Sequence, residues 1–169
     1  RMSLAEHLAL RAVPMAKSVI GKLREVLRLA PTGQPVVQVL LRLLRRCVVQ
    51  KFGFFARAYP PAAARPALKM VDDLILAFAE EVLQAKDCLF VCQEHRVRVR
   101  LEWSMPVRSD GGLGLTSLER LCGPAFIGSC LDALPTLARD RGVPPDELLP
   151  LLQELPFVSQ ALRWLPEAH

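Results

Sequence analysis

Apolar residues return every three or four positions over most of this chain, and prolines cut the pattern into segments. Leu4, Leu8, Met15, Val19, Ile20, Leu23, Val26 and Leu27 predict a first helix over 4–29. Ser3 is placed to cap it, and Pro14 is expected to break or kink it. Pro31-Thr32-Gly33-Gln34-Pro35 marks a turn. A second helix is expected over about 36–59. Val36, Val39, Leu40, Leu43, Leu44, Cys47 and Val48 form its apolar face, with Arg42, Arg45, Arg46 and Lys51 around the other side. Pro60-Pro61 ends it, because a residue before proline is pushed out of the helical region. A third helix, about 62–84, carries the stripe Leu68, Val71, Leu74, Ile75, Phe78 and Val82, with Asp72, Asp73, Glu80 and Glu81 expected to face out. It is acidic where the second helix is basic, so the two are expected to pair antiparallel across the proline turn.

The period changes at His95-Arg96-Val97-Arg98-Val99-Arg100-Leu101-Glu102-Trp103, which alternates strictly and predicts a strand. A lone strand has no evident partner here, and a helix with a basic face is the alternative. Met105 to Ser117 then holds three glycines, followed by a helical pattern that Thr116 or Ser117 can cap. That helix is expected to run through Leu131 to Arg139 despite Pro124 and Pro135. Gly123, Ala125, Gly128, Ser129 and Ala133 allow a neighbour to come close, and Gly142 ends it. Pro144-Pro145-Asp146 opens a short helix to about 155, and a last one covers about 158–164. The pattern as a whole predicts a mainly α chain. Its expected form is a bundle of about six helices with Pro/Gly-rich turns and one short β element near 95–103.

At 169 residues and 51% apolar composition, one domain with a sizeable core is expected. No run of about twenty uncharged apolar residues occurs, so no membrane span is expected. Glu6, His7 and Arg11 interrupt the first apolar stretch, unlike a secretory signal. Cys47, Cys88, Cys92, Cys122 and Cys130 are an odd, scattered set. They point to small core residues in a reducing, intracellular compartment: nucleus, cytoplasm or mitochondrion. The net charge of +5 divides unevenly, with a balance of +9 over residues 1–57 and −4 over the remainder. A basic front half is the electrostatic footprint of a nucleic-acid contact, or else a set of solvated helix faces.

Candidate chemistry is sparse. Cys88, Cys92 and His95 offer three zinc-type ligands within eight residues, with no fourth at a usual spacing, so buried thiols are expected and no metal. Gly111-Gly112-Leu113-Gly114-Leu115 has neither the strand and spacing of a dinucleotide fingerprint nor the Gly-Lys-Ser/Thr of a P-loop. A structural turn that docks Leu113 and Leu115 is expected instead. His7, His95 and His169 are isolated. Asp72 and Asp73 point about 100° apart on a helix, as surface charges do. No enzyme, no cofactor and no small-molecule substrate are expected.

The order of the pieces resembles a segment found after the catalytic core of retroelement reverse transcriptases. The likeness rests on Leu40 to Pro61, similar to "LLRxCxxPKxxYxLRxxPP", and on Met70-Val71-Asp72-Asp73 in the next helix. Met105 to Ser117 is similar to "LPxRxGGLGLxS", and Gly123 to Cys130 to an "APAAFLAS" helix. It covers about residues 36–140. Gln50 stands where the family tends to have proline, Phe54 or Phe55 where it has tyrosine, and Cys122-Gly123 in place of alanine. The family's polymerase chemistry lies in an upstream palm with paired aspartates in a Tyr-x-Asp-Asp turn. No such motif occurs here, and no metal role passes to Asp72-Asp73. The resemblance implies a thumb-like core over 36–140, with an N-terminal arm over 1–35 and a C-terminal extension over 141–169.

The resemblance also implies a grip on the template–primer backbone. Candidate phosphate contacts are Arg42, Arg45, Arg46, Lys51 and Arg57, with Arg96, Arg98 and Arg100 as a second set. The expected function is a non-catalytic nucleic-acid-binding module, RNA before DNA, either a portion of a polymerase or a reused remnant. The alternative is a scaffold subunit holding protein or RNA partners in a larger assembly, such as an organellar ribosome-like complex. The segment 148–165 is apolar on more than one side and is expected to pack into the core.

Overall fold

A computed structural model describes residues 2–29, 34–85, 92–107, 112–144 and scattered positions from 147 to 159. The chain is an all-α bundle, and no strand occurs among the described residues. Helix α1 spans Leu4–Leu29. Ser3 and Glu6 form a reciprocal cap: Ser3 Oγ accepts from the Glu6 amide at 3.2 Å, and the Glu6 carboxylate accepts from the Ser3 amide at 2.7 Å. That pair of bonds holds the Glu6 carboxyl below its ordinary pKa. Pro14 does not break the helix. Pro14 and Leu10 are both exposed, so the carbonyl of Leu10 that loses its amide partner lies on the solvent side.

The second rod is continuous from Gln34 to Ala58. It comprises α2 (Gln34–Leu43), a π-helical segment (Leu44–Val49) and α3 (Gln50–Ala58). Its buried side chains are Leu40, Leu44, Val48, Phe52 and Ala56, one every four residues, with Val49 beside them. In a pure α-helix such a row would drift about 40° at each step, since 3.6 residues complete a turn. The wider π turn in mid-rod takes up most of that drift and keeps the row facing the core.

Helix α4 spans Pro61–Val82 and starts with proline in its first turn, where a missing amide hydrogen costs nothing. It is the central element, packing most extensively on α1 and next on α6 (Leu118–Arg141), which in turn lies along α3. The basic second rod does pack on α4 across the proline turn, but less extensively than α1 and α6 do. The contact between α3 and α4 is minor, and the acids of α4 meet other partners. Glu81 pairs with Arg24 of α1 at 2.8 Å, and the Arg24 guanidinium sits 6.0 Å from the Phe78 ring centre.

The expected strand near 95–103 is corrected, since Gln93–Ser104 is a helix, α5. Cys92 caps it, its Sγ accepting from the His95 amide at 3.4 Å. A lone strand would leave its amides and carbonyls unpaired, whereas a helix satisfies them within the segment. Of the alternating apolar residues, Val97 is 60% and Leu101 39% exposed, while Trp103 at the helix end packs on the core. Ser117, one of the two caps its sequence offers, caps helix α6, which ends at Gly142 in the left-handed conformation with φ 65°. The short helices expected beyond residue 144 and the apolar segment 148–165 lie largely outside the described residues.

Candidate nucleic-acid interface and the groups that support it

From Val26 to Val71 the chain has no acidic residue, while Arg28, Arg42, Arg45, Arg46, Lys51, Arg57, Arg65 and Lys69 fall in that stretch. The four-residue spacing that buries Leu40, Leu44, Val48, Phe52 and Ala56 turns a second row outward: Gln38, Arg42, Arg46, Gln50, Phe54 and Ala58. Lys51 and Arg57 flank Phe54 at three residues on either side, and both are exposed. No described carboxylate lies within ion-pairing distance of Arg42, Arg45, Arg46, Lys51 or Arg57.

Arg45 is half-buried and serves a second purpose. Its aliphatic stem lies against the glycine turn, so close that a Cβ on Gly114 would stand 2.8 Å from Arg45 Cδ. Gln38, Leu41, Arg42 and Arg45 face Val107, Gly112 and Leu113 across a cleft of about 230 Å³. The turn itself offers no anion cradle. The amides of Leu113 and Leu115 both donate to the carbonyl of Trp103, that of Gly114 to Met105, and that of Gly112 to Pro106. All four are spent on the end of α5. Leu115 is 3% exposed and Leu113 packs on the core, so the turn docks both leucines. Gly111 lies outside the described residues.

The second set of arginines does different work. Arg96 and Arg100, one turn apart on α5, converge on the fully buried carboxylate of Glu80 in α4. Arg96 grips it with two bonds, Nε to Oε1 at 2.8 Å and Nη2 to Oε2 at 2.6 Å, and Arg100 Nε meets Oε1 at 2.5 Å. Arg100 also reaches Asp73 at 3.6 Å. These charge-assisted bonds outweigh the burial of the carboxyl and hold Glu80 below its ordinary pKa, and they raise that of Arg96. No residue of α5 is fully buried, and this ion cluster fastens the helix to the bundle together with Trp103, which packs on the core. Arg98 points outward and pairs with Glu102 at 3.4 Å. Of the candidate phosphate contacts, then, the first set lies on one rod, Arg98 faces outward in its pair with Glu102, and Arg96 and Arg100 turn inward.

Asp72 is another inward acid where surface charge was expected. It is 8% exposed and accepts from Ser117 Oγ at 2.9 Å and from the amides of Leu118 and Glu119 at 3.0 Å each. A carboxylate on α4 thereby caps α6, satisfying amides that have no partner within their own helix. Ser117 Oγ also accepts from the Arg120 amide at 3.3 Å. Burial is the largest influence on Asp72 and pushes its carboxyl up to about 6, against the three hydrogen bonds. Folded protein thus holds a proton on Asp72 between pH 4 and 6 that the unfolded chain has released. The stability this group contributes is full below about pH 4 and is lost as pH rises through about 6. In urea titrations wild type is expected to lose about 2 kcal/mol relative to Asp72→Asn between pH 4 and 7. Parallel pH profiles of the two proteins would refute this.

Neither acid was recognisable from the apolar stripe alone. The available signal was position: Asp72 sits beside Val71, and Glu80 beside Ala79, all four of them buried. Cys122 is buried and donates to the Glu119 carbonyl at 3.0 Å, and burial raises the pKa of the Cys122 and Cys130 thiols. Cys88 lies outside the described residues, and no cluster of three or more His, Cys, Asp or Glu suited to a metal occurs among the described ones. Helix α6 is long and apolar enough, by length and composition, to cross a membrane. Its first half is packed against α3 and α4. Comparison of the chain with family models, characterised proteins and solved structures returns no match.

Proposed function

We propose that this chain is a non-catalytic helical module that binds the phosphate backbone of nucleic acid, RNA in the first instance, along the outward face of α2 and α3. The resemblance to the post-polymerase region of retroelement reverse transcriptases agrees with this reading. The observation that carries it is the cationic row itself: Arg42, Arg46, Lys51 and Arg57 stand exposed, with Arg45 beside them and no described carboxylate to neutralise them. Arg96 and Arg100 belong to the support of α5, so the row on the second rod makes the contact, with Arg98 as its only addition from α5. A scaffold subunit is the alternative, favoured by Leu131 and Leu137, which are 48% and 45% exposed on the second half of α6.

Five phosphates neutralised on a single strand give a slope of about −3.5 in log K against log salt. Binding is therefore expected to weaken about a hundred-fold between 50 and 200 mM salt. The triple change Arg42→Glu, Arg46→Glu and Lys51→Glu should abolish binding and leave helicity and the urea midpoint unchanged, because all three side chains are exposed. Arg45 is left intact because it packs on the turn. Fluorescence anisotropy with a labelled single-stranded RNA checks both. Salt-independent binding, or unchanged affinity in the triple variant, would favour the scaffold.

A further inference from the structure

Phe54 stands out on the cationic face of the second rod. Its ring is 65% exposed, toward the α3 end of the outward row, while the rings of Phe52 and Phe55 on the same helix are turned in. It is held in place, however. Phe55 meets it edge-to-face at 6.1 Å and 75°, and Phe55 is itself stacked between Phe52 at 6.0 Å and Tyr59 at 6.1 Å. Lys51 and Arg57 stand one turn to either side, and Arg42 and Arg46 continue the row for roughly 18 Å along the rod axis. An oriented aromatic face among cations that track a backbone is the arrangement that seats an unpaired base.

We propose that Phe54 is a stacking platform for an unpaired base, which makes this face selective for single-stranded nucleic acid over duplex. The inference rests on the phosphate-binding reading above and adds the strandedness of the ligand. A paired base shows only its edge to the groove and offers no face to Phe54, whereas a base in a single strand turns its face outward at little cost. The row accommodates about five stacked nucleotides at 3.4 Å each.

The test uses the 169-residue chain and three fluorescein-labelled probes: an oligoadenylate dodecamer, an abasic dodecamer with the same phosphates, and a 24-base-pair RNA duplex. Wild type is expected to bind the oligoadenylate about 5- to 100-fold more tightly than the abasic strand. Phe54→Ala should remove that difference and leave abasic and duplex affinities unchanged, and Phe54→Trp should restore it. The charge-reversal triple should weaken all three probes. A ribose and a deoxyribose version of the oligoadenylate separate RNA from DNA as the source of the base. Equal losses on all probes in Phe54→Ala, or no loss on any, would overturn the stacking role and leave the phosphate contact standing. Failure of wild type to bind any probe would overturn both.

Discussion

Replacing Arg96 and Arg100 together by alanine is expected to destabilise the fold by about 3–5 kcal/mol, measured by urea unfolding. The carboxylate of Glu80 is fully buried, and these two guanidinium groups supply three hydrogen bonds to it. Without them the carboxylate loses both compensating cations and all three charge-assisted hydrogen bonds. The converse change is milder. In Glu80→Gln the arginines, 31% and 20% exposed at their side chains, can turn toward water. The combined change Glu80→Leu, Arg96→Met and Arg100→Met should recover most of the loss, because an intact buried ion pair is worth little against apolar groups of similar volume. Helix α5 fully buries none of its own residues, so the double alanine variant should also expose its amides to hydrogen exchange before the rest of the bundle. Uniform exchange over α4 and α5, or a loss below about 1 kcal/mol, would refute the clamp.

Gly112→Ala is expected to cost about 3 kcal/mol or more, a large effect for one methyl group. A Cβ at this position would stand 2.6 Å from the Glu102 carbonyl oxygen and closer still to that of Met105. Both obstacles are backbone at the end of α5, and no rotamer change relieves them. Moving the turn away breaks the amide bonds that Leu113, Gly114 and Leu115 make to Trp103 and Met105. Leu115, buried in the core, would then lose its seat. A thermal midpoint within a degree or two of wild type would show that the close approach is not needed.

The glycine turn therefore links two regions of the molecule. On its inner side it closes α5 against the start of α6. On its outer side Arg45 lies along Gly114, and this fixes one member of the cationic row. Damage to the turn should reach the proposed nucleic-acid face through Arg45. For that reason the test of that face leaves Arg45 and the glycines untouched.

The sequence by itself determined the class of the fold and most of its helices. Ser3, Pro60-Pro61, Ser117 and Gly142 set ends through local sterics and capping, which need no distant partner. The row Arg42, Arg46 and Lys51 was equally legible, because a helical period of apolar residues dictates what faces away from it. Three things depended on tertiary structure. The segment 95–103 alternates like a strand, and its helical state was decided by the pair of arginines that α5 aims at Glu80. Asp72 and Glu80 look like surface acids by spacing, yet one caps α6 and the other anchors α5. The most extensive partner of α4 is α1, with α6 next, whereas charge complementarity pointed first to the second rod. The physical reason is common to the first two. Helix periodicity and caps act within a few residues, whereas a buried charge is tolerated only where residues distant in the chain bring the matching donors.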